Sequence, residues 1–197
     1  MSIVRERLNQ HDARLAAIEA ARELLIDEGP QAVTLKAVAA KVGKTHSNLL
    51  HHFGSAAGLQ AELARAIADQ VTTAIKDAVE LARSGQSDAR EIVDRTFDAF
   101  GKQGAGALAA WMILSGNRDA LNPILAAIRA LVAQLSIGHE GHHVAETTLS
   151  LVLSALGDSL LGEPISEALG LDPGTAREIA TERIRARIDA WHPKEGG

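Results

Sequence analysis

One stretch, Thr34 to Phe53, limits the folds open to this chain more than any other. It reads TLKAVAAKVGKTHSNLLHHF. Thr34 can cap a first helix whose apolar residues recur at helical spacing, and Gly43 can supply the left-handed residue that ends it. Thr45 can cap a second short helix that has Leu49 and Phe53 on its inward side. This pattern predicts either a helix-turn-helix unit, whose second helix enters the DNA major groove, or an ordinary helical hairpin in an all-α core.

Helical spacing continues along the rest of the chain, and no segment alternates with the period of a β-strand. Asp88 with Glu91 and Thr175 with Glu178 are predicted capping boxes. The buried stripe predicted for the first helix consists of Leu15, Ile18, Ala21 and Leu25. The predicted helices outside the opening stretch run from His11 or Asp12 to Glu28, from Ser55 towards Leu81, from Asp88 through Phe100, from Ala107 to Leu114, from Ile124 to Leu135, from Val144 to Leu161 and from Thr175 to Trp191. The last-but-one of these is expected to end at Gly162 and Pro164. The sequence therefore predicts an all-α fold.

Composition narrows the class of protein. With 197 residues, 46% of them hydrophobic, the chain can bury a core in one or two domains. It has no cysteine, which excludes disulfides and thiolate metal sites. The N-terminal residues lack the apolar core of a signal peptide, and charged or polar residues interrupt every apolar run before it reaches membrane-spanning length. We therefore expect a soluble protein of the cytoplasm.

The charge is distributed unevenly along the chain. Residues 1–54 hold seven of the 20 Lys and Arg residues and six of the 25 Asp and Glu residues, a net charge of +1, so residues 55–197 carry −6 and the whole chain carries −5. Four of the eight histidines, His11, His46, His51 and His52, are also in this first part. A DNA-binding protein gains affinity from the cations that it presents to phosphates. The small positive net charge of residues 1–54 lies in the segment that contains the predicted helix-turn-helix.

The first third of the chain resembles the tetracycline-repressor (TetR) family of bacterial regulators over about residues 12–60. The family pattern has a threonine-led second helix, a glycine turn, a Leu-Tyr-x-His-Phe run that closes the third helix, and then Ser-Lys-Glu. The residues of this chain that match it are Ala21, Gly29, Thr34, Val38, Ala39, Gly43, Thr45, Leu49, His52, Phe53, Ser55 and Leu59.

The resemblance implies an architecture and a function. Residues 1–54 would form a three-helix DNA-binding head, and a long helix would join it to a ligand-binding and dimerisation domain, residues 55–197. The implied protein is a repressor and not an enzyme. It would bind a palindromic operator as a homodimer and be released by a small, largely apolar ligand. Residues 144–161 and 175–191 would form a four-helix dimer interface, and no cofactor or metal is implied.

The middle helices would hold the ligand. Aromatic and apolar side chains there could line a pocket, with a serine hydroxyl as a polar handle. They could equally be ordinary core residues. The residues predicted to bind the ligand are Phe97, Phe100, Trp111, Met112 and Ser115.

The third helix carries the predicted reading residues. Asn48 can bond adenine bidentately, Ser47 can bond several base edges, and Leu50 can pack against a thymine methyl group. Thr34, Thr45 and Lys36 can reach phosphates, and Lys36 can also reach a guanine edge. Each could instead be a solvated surface residue. The full set of residues predicted to contact DNA is Thr34, Lys36, Lys44, Thr45, His46, Ser47, Asn48, Leu50, His51 and His52.

Three positions depart from the family pattern. Leu50 stands where the family has a tyrosine that reaches a phosphate, and Ala56 stands where a lysine does the same. Lys44 replaces a small apolar residue in the turn and could restore part of the lost affinity. Two missing phosphate contacts predict weaker sequence-independent binding with a smaller salt dependence.

Two alternatives remain open. His139-Glu140-Gly141-His142-His143 matches the zinc-protease pattern H-E-x-x-H, with His139 and His143 as ligands and Glu140 as general base. Two glycines weaken any helix there, and no third ligand is evident downstream. The second alternative is a helical dimer that has lost DNA binding, which Leu50 and Ala56 suggest.

Overall fold

Nine α-helices and two short 3-10 helices make up the part of the protein that the computed structural model describes, residues 2–85, 88–138 and 143–191. Within these ranges there is no strand, so the all-α prediction is confirmed. The 3-10 helices are Pro30–Ala32 and Arg118–Leu121. The α-helices are α1 (Ser2–Glu28), α2 (Leu35–Lys41), α3 (His46–Phe53), α4 (Ala56–Arg83), α5 (Ala89–Phe100), α6 (Ala105–Leu114), α7 (Asn122–Ser136), α8 (Val144–Leu169) and α9 (Thr175–Trp191).

The chain forms two compact units. The first unit comprises Met1–Ile67 and Ala107–Ile124, and the second comprises Ala68–Gly106 and Leu125–Gly197. Helices α4, α6 and α7 therefore contribute residues to both units. The predicted boundary after residue 54 stays a prediction about the domains.

The core of the first unit begins halfway along α1. Helix α1 packs on the 3-10 helix Pro30–Ala32 and on α2, and α2 packs on α3. Ile18, Ala21 and Leu25 are buried as predicted, but Leu15 is 56% exposed. Among the described side chains of α1, from His11 onwards, burial starts at Ala17 and continues through Ala20 and Leu24, so the predicted stripe began one turn too early. Burial follows the neighbours that cover a helix, which the spacing of its own apolar residues does not contain.

Helix α1 begins at Ser2, nine or ten residues before the predicted start. Residues 2–28 contain neither glycine nor proline, so nothing in the backbone stops the helix from propagating towards the N-terminus.

The second unit is built from α5, α8 and α9, which pack on one another. Asp88 caps α5, because its Oδ1 accepts hydrogen bonds from the backbone N–H groups of Arg90 (2.9 Å) and Glu91 (3.3 Å). Thr175 is the first residue of α9 and not its cap, since the Arg177 N–H donates to the carbonyl of Gly174 at 3.0 Å. The buried core includes Ala78, Val79, Ala89, Ile92, Val93, Phe97, Leu131, Leu135, Val144, Leu151, Ala155, Ala180 and Ile184.

Helix α8 is eight residues longer than predicted. It runs through Gly162 and Pro164 and ends at Gly170, whose φ of +67° is left-handed. Pro164 is exposed within this chain, so the carbonyl four residues earlier, on Leu160, loses its helical partner at a position that the rest of the chain does not cover.

At 26 residues and with this apolar composition, α8 is long enough to cross a membrane by length and hydropathy alone. The prediction that no apolar stretch reaches that length was therefore wrong. Only 11% of the apolar window is buried within this chain, so most of the helix is left for another contact.

Candidate nucleic-acid interface

Helix α2 begins and ends on residues that the sequence singled out. Thr34 is its N-cap, with the Ala37 N–H donating to Thr34 Oγ1 at 3.1 Å. Gly43 follows its last turn with a φ of +64°. The Lys44 N–H donates to the Ala39 carbonyl at 2.9 Å, which closes the turn in a Schellman arrangement. After this turn the chain continues directly into α3.

Helix α3 is fixed at both ends in the same way. The Asn48 N–H donates to Thr45 Oγ1 at 3.2 Å, and Gly54, with a φ of +72°, ends the helix. A hydroxyl that accepts one hydrogen bond can still donate another. The hydroxyl protons of Thr34 and Thr45 therefore remain usable for phosphate oxygens, as the sequence predicts.

The two sides of α3 differ sharply. Leu49 and Phe53 are 1% and 8% exposed, so they hold the helix against the core. His46, Ser47, Asn48, Leu50 and His51 are exposed, and His52 is half-buried. The predicted inward residues are thus buried, and the predicted outward residues His46, Ser47, Asn48, Leu50 and His51 all lie on the open side. Their contact with DNA stays a prediction.

Two lysines flank this open side. Lys36 and Lys44 are exposed, and no carboxylate among the described residues pairs with either of them. Lys41 is different, because its Nζ lies 2.9 Å from Glu23 Oε2, and this hydrogen bond raises the pKa of Lys41. We therefore count Lys36 and Lys44, and not Lys41, as the cations presented beside α3.

A contact that the sequence did not indicate joins α3 to its neighbours. Arg14 of α1 donates from Nη1 to the carbonyl oxygen of His52 at 3.2 Å, and its Nη2 lies 3.0 Å from Glu62 Oε1 on α4. The sequence separation of 38 residues between Arg14 and His52 leaves no local signal for this contact.

The residues predicted to bind a ligand are divided between the two units. Phe97 is buried in the second unit beneath the Arg177 guanidinium, at 5.3 Å from the ring centroid, and Phe100 is half-buried there. Trp111, Met112 and Ser115 belong to the first unit. Met112 is fully buried, whereas Trp111 is 36% exposed and Ser115 is exposed. These five side chains therefore do not meet within one unit, and their role in ligand binding stays a prediction.

The second unit contains an open cavity of about 580 Å³ between α4 and α5 that includes none of those five residues. Its lining includes carboxylates and guanidinium groups from α5. On its rim Arg177 bridges Asp94 (3.1 Å) and Asp98 (2.7 Å). Burial would raise the pKa of Asp98, but the hydrogen bonds and positive charges of Lys102 and Arg177 outweigh it and lower the pKa. These acidic groups are already paired within the protein.

The H-E-x-x-H alternative gains no support. Residues 139–142 lie outside the described residues, and His143 precedes α8 with a φ of +50°. Its Nδ1 lies 3.1 Å from Glu146 Oε1, and this contact lowers the pKa of Glu146. In the described ranges no group of three His, Asp or Glu side chains is placed to hold a metal ion.

Comparison with known proteins identifies the head. Residues 17–63 match the sequence model of the tetR family of bacterial regulatory proteins. The matched segment extends from Ala17 of α1 to Leu63 of α4 and so contains both capped helices and the glycine turn. No curated protein sequence is significantly similar to the chain.

Solved structures share this fold over most of the chain. SCO7518 from Streptomyces coelicolor A3(2), described as a transcriptional regulator, superposes with a TM-score of 0.60 at 15% identity over 88% of this chain and 98% of its own. A protein from Mesorhizobium loti MAFF303099, described as a TetR-family transcriptional regulator, gives a TM-score of 0.57 at 18% identity over 92% and 97% of the two chains. At these identities the likeness establishes a shared fold.

Proposed function

We infer that this chain, whose residues 17–63 belong to the tetR family of bacterial regulatory proteins, is a DNA-binding transcriptional regulator, and we propose that it is a ligand-released repressor. The observation that carries the proposal is the two-sided character of α3. Its inner side is buried through Leu49 and Phe53, and its outer side presents only short polar residues, histidines and one leucine. The tetR-family head marks a transcription factor and not an enzyme.

We propose that α3 reads bases and that its surroundings hold phosphates. Asn48 would bond an adenine edge, and Leu50, which is 42% exposed, would contact a thymine methyl group. The residues proposed to hold phosphates are Thr34, Lys36, Lys44 and Thr45. Phosphate contacts place the helix in the groove, whereas base-edge contacts select the sequence.

We further propose that the chain binds its operator as a homodimer. One recognition helix reads only a few base pairs, so specificity requires two heads on half-sites separated by about 34–36 Å or a multiple of it. Helix α8 exposes leucine and isoleucine side chains on two sides of the helix: Leu149, Leu153 and Leu160 on one, and Leu161, Ile165 and Leu169 on another. A second copy of α8 with α9 would cover these side chains. The helix also carries Glu146, Asp158, Glu163 and Glu167, which a protein interface accommodates more easily than a lipid core does.

The ligand proposed to release the operator is small and largely apolar. Phe97, Phe100, Trp111, Met112 and Ser115 remain the proposed contacts, and the protein would work in the cytoplasm beside the DNA. Ligand binding would favour a spacing of the heads that cannot span both half-sites, so it acts by shifting the population of two conformations. Repression is the simplest form of regulation to propose, because a protein bound to the operator can by itself block transcription.

Selection of bound duplexes from a random DNA library tests this proposal. The expected result is a palindromic consensus whose half-sites are separated by about one helical turn or a multiple of it. A consensus without two-fold symmetry would contradict the dimeric operator, and an equal recovery of all sequences would contradict sequence-specific regulation.

A second candidate function follows from two side chains at the interface. Leu50 and Ala56 are exposed and cannot donate to phosphates, so the head lacks two anchors. The alternative is a helical dimer that no longer binds DNA. Failure to retain any double-stranded DNA from the library at low salt would favour this alternative, because low salt strengthens every phosphate contact.

A further inference from the structure

Arg14 connects three helices of the first unit through one guanidinium group. It lies on α1, donates to the His52 carbonyl of α3 at 3.2 Å, and pairs with Glu62 of α4 at 3.0 Å. Its central carbon also lies 5.2 Å from the centroid of the Phe53 ring, within the range of a cation–π contact. Helices α1, α3 and α4 therefore meet at a single side chain.

The hydrogen bond from Arg14 gives α3 a directional contact, which its apolar packing does not provide. A helix of eight residues is too short to be stable alone, and only Leu49 and Phe53 are buried along it. Apolar burial is non-directional, so two buried side chains fix the rotation of the helix about its own axis less firmly than a directional contact would. A hydrogen bond is directional, and the His52 carbonyl is one of the last-turn groups that has no partner within the helix. A positive charge at this end also complements the helix dipole.

We propose that Arg14 is a positioning residue that holds α3 at the angle from which its outer side chains reach base edges. The inference rests on the proposed reading of DNA by α3. All three contacts of the guanidinium are within the protein, so in this proposal Arg14 acts on DNA through α3. Glu62 fixes the guanidinium in turn, which ties the angle of α3 to α4.

Loss of Arg14 is therefore expected to reduce discrimination between the operator and unrelated DNA. A bidentate bond to a base edge requires correct distances and angles for two atoms at once, whereas a lysine can follow a phosphate over a wide range of positions. Rocking of α3 therefore removes base-edge contacts and leaves most phosphate contacts in place. Loss of Arg14 is expected to lower affinity for the operator far more than affinity for unrelated DNA.

The test is the variant Arg14→Met, which keeps an aliphatic stem against Phe53 and removes the charge and the donors. Its Kd is measured by fluorescence anisotropy for the duplex that wild-type protein selects and for a scrambled duplex of the same length, over a series of salt concentrations. We expect operator affinity to fall about tenfold, or ~1.4 kcal/mol. Affinity for the scrambled duplex and the slope of its salt dependence are expected to stay the same.

Glu23→Gln is the matched control. It breaks the ion pair between Glu23 and Lys41, which has a length of 2.9 Å and also involves α1, but it leaves every contact of α3 in place. This control is expected to lower Tm to a similar extent as Arg14→Met while leaving the ratio of operator to scrambled affinity unchanged.

Two results would overturn the inference. An equal loss on both duplexes with a smaller salt slope would make Arg14 a phosphate contact, and an unchanged affinity ratio with a lower Tm would make it a packing residue only. If Arg14→Met does not fold, Glu62→Gln replaces it, because this variant removes the ion pair of the guanidinium but keeps its hydrogen bond to the His52 carbonyl. A smaller loss of the ratio of operator to scrambled affinity is then expected. An unchanged ratio in this variant would overturn the inference. Failure of the proposed function is seen separately, as absence of discrimination by wild-type protein.

Discussion

Asn48 and Lys44 are both exposed, but we expect them to contribute differently to DNA binding. Asn48→Ala removes a base-edge contact, so it should relax the base preference at one operator position and cost ~1–3 kcal/mol for the preferred base. Lys44→Ala removes a phosphate contact, so it should weaken binding to all sequences alike and lower the slope of log K against log salt by about 0.9. Competition binding with single-base variants of the selected operator measures both.

The control for Lys44→Ala is Arg129→Ala, which removes one positive charge from the exposed surface of α7. It should leave both the affinity and the salt slope unchanged. If Asn48→Ala weakened all sequences equally and Lys44→Ala relaxed the base preference, the proposed placement of α3 in the groove would be wrong.

Asp98 links stability to pH in the second unit. Burial alone would raise the pKa of Asp98, but Lys102 at 2.9 Å and Arg177 at 2.7 Å lower it overall. The native state therefore favours the carboxylate. Its stabilisation is fully present above the pKa of an unfolded aspartate, about 3.9, and is lost as the pH falls through the lower pKa of the folded protein.

We therefore expect Asp98→Asn to lower the free energy of unfolding by about 2 kcal/mol at pH 7, because two charge-assisted hydrogen bonds are weakened. The difference from wild type should shrink as the pH falls below about 4. Urea unfolding between pH 7 and pH 2.5 measures it, with exposed Asp119→Asn as the control. A difference that stays constant over this range would show that the ion pairs with Asp98 do not stabilise the fold.

At the junction between the helices α3 and α4, the backbone at Gly58 approaches the backbone at Phe53 closely. Gly58 lies in the first turn of α4, and a Cβ atom there would overlap the backbone carbonyl oxygen of Phe53, the last residue of α3. Neither backbone group can move aside as a flexible side chain would. Gly58→Ala is therefore expected to displace α3 and to lower both Tm and operator affinity, although alanine favours a helix intrinsically by about 1 kcal/mol over glycine.

The adjacent substitution Ala57→Gly serves as the comparison for Gly58→Ala. Ala57 is exposed, so its loss should cost only the intrinsic helix preference of about 1 kcal/mol and leave the affinity of the folded protein unchanged. Circular dichroism melting and anisotropy on the same samples separate the two effects. A stabilised Gly58→Ala protein with unchanged affinity would show that the close approach is not required.

The element boundaries show which local signals are reliable. Thr34, Gly43 and Thr45 were identified from the sequence, and each occupies the predicted cap or turn, because caps depend on residues within one turn of the helix. Pro164 was expected to end α8 and does not. A proline removes one hydrogen bond, and a long apolar helix can tolerate this when the unpaired carbonyl is on its exposed side.

For the whole molecule, the exposed leucine and isoleucine side chains of α8 make dimerisation the property that we expect to affect DNA binding most. Leu153 is 57% exposed in one chain, so Leu153→Glu should not disturb the fold of that chain. In the proposed dimer it would bury a charge at the interface and cost at least about 2 kcal/mol of association free energy. We expect a shift from dimer to monomer in analytical ultracentrifugation and a large loss of operator affinity.

Leu114→Glu is the control for this prediction. Leu114 is 84% exposed and belongs to the first unit, so the same chemical change should leave the oligomeric state and operator affinity as they are. If Leu153→Glu remained a dimer with wild-type affinity, the proposed interface would have to lie elsewhere on the chain.

The sequence by itself determined the all-α fold, both capped helices of the head and the buried residues Leu49 and Phe53. These depend on hydrophobic spacing and on capping, which act between residues a few positions apart. Only the tertiary structure decided the three-helix contact of Arg14, the bridge from Arg177 to Asp94 and Asp98, and the division of the predicted ligand residues between two units. Such contacts join residues tens of positions apart, and their partners are set by how whole helices pack, which no local pattern records.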